Sequence, residues 1–248
     1  NSRTKAIMPV HLAGRVCDME AICKIAKNNN LIVIEDAAQA IGSKFKGKMS
    51  GSFGKAGCFS AHPLKNLNAC GDAGYLTTND KKIYQRAIRL RDHGHINRDT
   101  VKEFGYVSRL DNLQAAILNF RLTKLKQIIE KRRKNAKIYL NGINRDKVFI
   151  SDEKESEYNT YHLFVIQTPL RNKLKRFLEQ NQIESRIHYP IPIHLQPAAK
   201  FLKYKKGDFP IAEKQANEIL SLPIYQSLLK SNLKKIINLI NHFQEKYK

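Results

Sequence analysis

Lys65 is the residue whose setting first points to chemistry. It stands in CFSAHPLKNLNACGDAGYLTTND (residues 58–80), a stretch of small residues, amides and turn formers. Most of the chain's 44 lysines and arginines instead fall in segments that read as helix faces. A lysine amine that is partly unprotonated is a nucleophile toward carbonyls and a carrier of protons. Upstream, the apolar run LIVIED ends in the acids Glu35 and Asp36, and Ser60 lies shortly before the lysine. An amine that can form a Schiff base, a carboxylate that can keep a pyridine nitrogen protonated, and a hydroxyl for a phosphate are the groups that pyridoxal phosphate requires. Taken singly, Lys65 reads as a surface lysine and Asp36 as a helix-capping acid. Their combination points to a cofactor site.

The flanking elements support an α/β frame. Asp18 is placed to cap a helix whose apolar positions Met19, Ile22, Ile25 and Ala26 share a face, and Asn28-Asn29-Asn30 ends it. The continuous run Leu31–Ile34 predicts a parallel strand covered on both sides. Its acids sit at the carboxyl end, where open α/β sheets bind ligands. Asp111 with Gln114 resembles a capping box at the start of a long helix with the stripe Leu113, Ile117, Phe120, Leu125 and Ile128. The pattern turns loop-like from Asn141 to Asp152, which divides the chain into residues 1–141 and 142–248. In the second part YHLFVIQT reads as a strand, LRNKLKRFLEQNQ as a helix and IESRIHY as another strand. A last helix from Ser231 packs through Leu233, Ile236, Ile237, Ile240 and Phe243.

Composition narrows the class. With 248 residues, 42% hydrophobic and 27% charged, the chain has the make-up of a globular protein able to bury a sizeable core. No apolar run is long enough to span a bilayer, and NSRTKAIMPV is not a signal peptide. Cys17, Cys23, Cys58 and Cys70 lack C-x-x-C spacing and read as reduced thiols of a cytoplasmic protein, with no metal site. The formal net charge of +22 raises the question of a nucleic-acid partner, but the cations recur along the whole chain. They form no tail or stripe, and no aromatic-interleaved RNA-binding signature accompanies them. Neither a specific nucleic acid nor a membrane is therefore expected.

VIEDAAQAIGSKFKGKMSGSFGKAGCFSAHPLKNLNACGDAGYLTTND, with PVHLAG, RDHG, GYVSRLDNLQAAIL, RIHYPIPIHLQPA and GDFPIAEKQANEILSLPIY, resembles the DegT/DnrJ/EryC1/StrS family. These are pyridoxal-phosphate-dependent nucleotide-sugar aminotransferases of the aspartate aminotransferase fold, fold type I. The resemblance covers nearly the whole chain. It implies an incomplete large domain with a mixed, mostly parallel sheet, ending in the long connecting helix, and a small C-terminal α+β domain. It also implies that Lys65 is the Schiff-base lysine and proton carrier, and that Asp36 pairs with the pyridinium. Gln39, on a following helix, would meet the phenolic oxygen, and Ser60 the phosphate. Arg109, His188 and Tyr189 match positions near the sugar nucleotide. His11 matches a position near the active site, where a structural histidine is the alternative. A homodimer with shared sites is implied.

HPLKNLN and RIHYPIPIHLQ look most like members that aminate a 3-keto sugar, with glutamate as donor, in making O-antigen or other surface glycans. A 4-keto sugar is the alternative. Family dehydratases usually carry histidine in place of the lysine, so Lys65 favours a transaminase. A regulatory homologue of the same fold is the rival from another class. Two departures stand out. The family's chain begins well upstream of PVHLAG, so a phosphate-binding turn and a ring-stacking aromatic have no counterpart here. The family's GYNSR reads GYVSR, and Val107 cannot donate the asparagine's hydrogen bond to a partner subunit's cofactor phosphate. Val107→Asn is therefore expected to tighten pyridoxal phosphate binding in a titration, and an unchanged or weaker affinity would sink this reading.

Overall fold

A computed structural model describes residues 1–247. The chain divides into two compact units, Asn1–Glu130 with Glu153–His162, and Lys131–Asp152 with Leu163–Lys248.

The first unit opens with β1 (Ala6–Ile7), α1 (Met19–Asn28) and β2 (Ile32–Asp36). Asp18 caps α1 by accepting the Ala21 N–H at 3.0 Å, and Asn30 takes a positive φ just past its end, as the asparagine run predicts. Then come β3 (Lys44–Phe45), β4 (Lys48–Met49), β5 (Ala56–Ser60), β6 (Gly74–Thr77), α2 (Lys81–Leu90), α3 (Asn112–Leu122), α4 (Leu125–Gly142) and β7 (Glu157–Tyr158). The main sheet has the order β1-β2-β5-β6, with β6 alone antiparallel. A small antiparallel sheet β4-β3-β7 lies beside it in the chain's order. Only one face of β2 is closed. Val33 and Glu35 are buried, Val33 in a cluster with Val16, Met19, Ala26 and Phe45. On the other face Met8, Ile32 and Leu76 stay exposed, so the expected cover on both sides is not present.

The long helix from Asp111 is in fact two helices, broken at Thr123 and Lys124. Asp111 makes no side-chain cap bond, and the Gln114 side chain accepts the Cys70 N–H at 2.9 Å, so neither half of the capping box forms. Leu118, Leu125 and Ile129 are buried and pack with Ala61, Leu67 and Ala69 of the lysine loop. Leu113 and Phe120 of the expected stripe are 72% and 67% exposed.

The second unit holds the rest of α4, then β8 (Phe164–Gln167), α5 (Arg171–Gln180), α6 (Pro210–Glu218), β9 (Ile219–Leu222) and α7 (Lys230–Lys246). β8 and β9 pair antiparallel. The segment read as a strand in IESRIHY contributes a single bridge, Arg186 to Ser221. Tyr139 of α4 is fully buried and donates its hydroxyl to the Pro223 carbonyl at 3.0 Å. Leu233, Ile236, Ile237, Ile240 and Phe243 are all buried on α7, as their spacing predicts. Ile240→Ala should lower the unfolding free energy by about 2–5 kcal/mol, read by chemical denaturation.

Candidate active site

Glu35 and Asp36 are adjacent in a strand, so their side chains must face opposite sides of the sheet. Asp36 points to the open face. Parallel pairing sets it beside Cys58 of β5, with Ser60 two residues further along the same face. Met8, Ile34, Asp36, Ala38, Cys58 and Ser60 line a cavity of about 260 Å³ at the carboxyl ends of these strands. Asp36 Oδ1 accepts the Ala38 N–H at 3.0 Å, and Ser60 Oγ accepts the His62 N–H at 3.3 Å. Each side chain thus stabilises the turn that ends its own strand. Behind this face Phe59 stacks on Tyr75, with centroids 4.9 Å apart, and burial raises the Tyr75 hydroxyl to about 12.

Lys65 lies in the loop after β5, with its backbone N–H bonded to the His62 carbonyl at 2.8 Å. Its neighbours Asn66 and Leu67 are buried, and Asn66 Nδ2 donates to the Thr160 carbonyl at 3.2 Å. The loop is held by its own core and not by a helix surface, which accounts for the lysine's unusual setting. Burial lowers the basicity of the amine, partly opposed by the Asp36 charge. The donor set fits pyridoxal phosphate: a carboxylate and a hydroxyl lining one cavity, and in the following loop an amine of depressed basicity within electrostatic reach of the carboxylate.

Gln39 is not on a helix. It sits in a turn directly after β2, and its Oε1 accepts the Ala13 N–H at 2.7 Å. His11 is fully buried and has both ring nitrogens engaged: Nδ1 accepts the Cys17 N–H at 3.2 Å and Nε2 meets Glu35 at 2.9 Å. Its ring thus faces the buried side of the sheet, away from the cavity that Asp36 and Ser60 line. Arg109 is exposed, 3.7 Å from Asp92, a pairing that contributes little at a surface. His188 and Tyr189 belong to the second unit, where His188 Nδ1 meets Ser221 Oγ at 2.9 Å and Tyr189 is exposed.

The motifs RDHG and GYVSR meet in one excursion. Gly94 has a φ of +80°, and a Cβ there would lie 1.6 Å from the Glu103 carbonyl oxygen. A Cβ on Gly105 would lie 2.5 Å from the Gly94 nitrogen. Only glycine permits this backbone contact.

The sequence profile described as the DegT/DnrJ/EryC1/StrS aminotransferase family matches residues 1–241. The chain belongs to this family. It is 42% identical over 244 residues to the pleiotropic regulatory protein of Geobacillus stearothermophilus, covering 97% of this chain and 66% of that one. It is 40% identical over 242 residues to the dTDP-3-amino-3,6-dideoxy-alpha-D-galactopyranose transaminase of Aneurinibacillus thermoaerophilus, covering 98% and 66%. Among solved structures, S. venezuelae DesV in complex with a ketimine intermediate superposes with a TM-score of 0.95 at 34% identity, covering 99% of this chain and 66% of that one. The chain thus spans 66% of the length of these relatives. Fold and family agree with the resemblance read from VIEDAAQA and HPLKN.

Sequence reasoning singled out Glu35 but gave it no role. The signal was available in the alternation itself: one of two consecutive acids in a half-buried strand has to face the core. Burial by itself would raise the Glu35 carboxyl, yet hydrogen bonds from His11 and from the Gly54, Gly51 and Phe53 amides outweigh it and hold it below the usual carboxylate range. A depressed carboxyl contributes stability that is present above its unfolded pKa and lost as pH falls through the folded value. Unfolding midpoints should therefore fall as the pH drops below the ordinary glutamate value of about 4.3. Glu35→Gln should flatten that fall, as measured by thermal denaturation across the range.

Proposed function

We propose that the protein carries out pyridoxal-phosphate-dependent transamination of a nucleotide-linked keto sugar. The single observation that carries this reading is that Asp36 and Ser60 line one cavity, with Lys65 in the loop after β5 close enough to feel the Asp36 charge and its basicity depressed by burial. When bound, the cofactor supplies an electron sink and a group that accepts and returns an amino nitrogen. The chain's own residues do the rest. Lys65 would hold the cofactor through its amine and, once freed from it, would hold and return a proton at Nζ. Its lowered basicity keeps a larger share of the amine neutral near neutral pH. Asp36 would keep the ring nitrogen protonated by its charge, and Ser60 would donate to a phosphate oxygen.

The 3-amino-sugar transaminase relative supports a 3-keto nucleotide sugar as substrate, with glutamate as the expected donor. Synthesis of O-antigen or another surface glycan in the cytoplasm is the matching context. Among the described residues no helix is long and apolar enough to cross a membrane. A homodimer is supported by the apolar surface around the excursion and α3, where Phe104 is 99% exposed and Tyr106, Val107, Leu113 and Phe120 are all exposed. A regulatory role is the second reading, favoured by the 42% identical relative that is named a regulatory protein.

Borohydride treatment of the full-length protein loaded with pyridoxal phosphate tests the site. A reducible adduct is expected on Lys65 and lost in Lys65→Ala. No adduct in the parent, or the same adduct in the variant, ends the assignment. A panel of 3-keto and 4-keto nucleotide sugars with glutamate then separates the readings, since adduct formation without any transamination supports the regulator.

A further inference from the structure

Nothing in the proposed reaction uses Glu35, yet it is the most heavily bonded side chain near the site. It is fully buried. Oε2 receives His11 Nε2–H at 2.9 Å and the Gly51 N–H at 2.7 Å. Oε1 receives the Phe53 and Gly54 N–H groups at 2.6 and 2.7 Å. His11 is tied in turn to the peptide that follows Asp36, because its own N–H donates to the Asp36 carbonyl at 2.9 Å. The Asp36 N–H donates to the Pro9 carbonyl at 2.9 Å. Both amide groups flanking Asp36 are thereby fixed.

The turn that Glu35 gathers is pressed on the other strand of the site. A Cβ on Gly57 of β5 would lie 2.4 Å from Gly51 Cα, and Thr77 Oγ1 holds the Gly51 carbonyl at 2.8 Å. One carboxylate therefore joins the strand carrying Asp36 to the turn against which the strand carrying Ser60 is packed. A ligand with a ring nitrogen at one end and a phosphate at the other demands a fixed spacing between those two residues, and such spacing has to hold within about 0.5 Å.

We propose that Glu35, through His11 and the Gly51–Gly54 turn, is the positioning residue that sets the spacing of Asp36 and Ser60 for the cofactor. The inference rests on the reading of this edge as a pyridoxal phosphate site. Glu35→Gln keeps the shape but turns an NH₂ group toward N–H donors, and Glu35→Asp is one methylene too short to reach all four. His11→Gln removes one bond of the four and leaves the turn amides in place.

The test uses the full-length protein with these three variants and follows the thermal midpoint, the pyridoxal phosphate dissociation constant and the pH titration of the bound cofactor's visible band. Outer-shell partners of metal ligands typically contribute about 10- to 100-fold in affinity, and we take the same order here. A loss of that size is expected for both Glu35 variants, with a smaller one for His11→Gln, together with a displaced visible-band titration. A variant that loses thermal stability yet keeps wild-type affinity and an unmoved titration overturns the inference. If neither Glu35 variant folds, His11→Gln decides on the same two readouts. Failure of the wild type to form a reducible adduct on Lys65 overturns the site reading, and this inference with it. An intact wild-type adduct with unaltered variants overturns the inference alone.

Discussion

A carboxylate inside a sheet is tolerable only where its oxygens are filled by donors, and Glu35 meets that condition with three backbone amides and an imidazole. Much of the first unit follows from this one requirement. The amides come from a tight turn, so the turn must be rich in glycine. The imidazole comes from the segment before α1, so that segment must run alongside β2. Once both are in place the end of β2 has little freedom left, and Asp36 leaves it in one direction.

The site occupies a boundary between a dry face and an open one. Behind β2 the packing of Val16, Met19, Ala26, Val33 and Phe45 excludes water. In front, Asp36, Cys58 and Ser60 meet an accessible cavity. A lysine loop resting on Ala61, Leu67, Leu118, Leu125 and Ile129 belongs to neither face. It brings an amine to the edge of the sheet without a helix to carry it, and burial there supplies the depressed basicity that nucleophilic lysines need.

What the sequence revealed follows the range over which each signal acts. Period and capping are local, so α1, β2, β8, α5 and α7 were legible, as was the pairing of an acid at a strand end with a lysine in a turn. Gln114 was misread because its acceptor goes to Cys70, 44 residues away, and no local pattern encodes that competition. Leu113 and Phe120 were misread because periodicity reports apolar character and not what covers it. Gln39 sits in a turn fixed by Ala13 rather than on a helix, again through a distant partner. His11 drew notice in the sequence through the PVHLAG motif around it. Its own side chain points into the sheet's dry side.

The contact between Gly94 and Gly105 has a consequence for how this protein can change over evolution. Because the excursion's shape is fixed where two backbones touch, the side chains at its tip do not have to maintain it. Positions between the bridged residues His95 and Val101 are then free to change while the excursion keeps its course. Mutational tolerance at the tip and intolerance at its base are two faces of one steric fact.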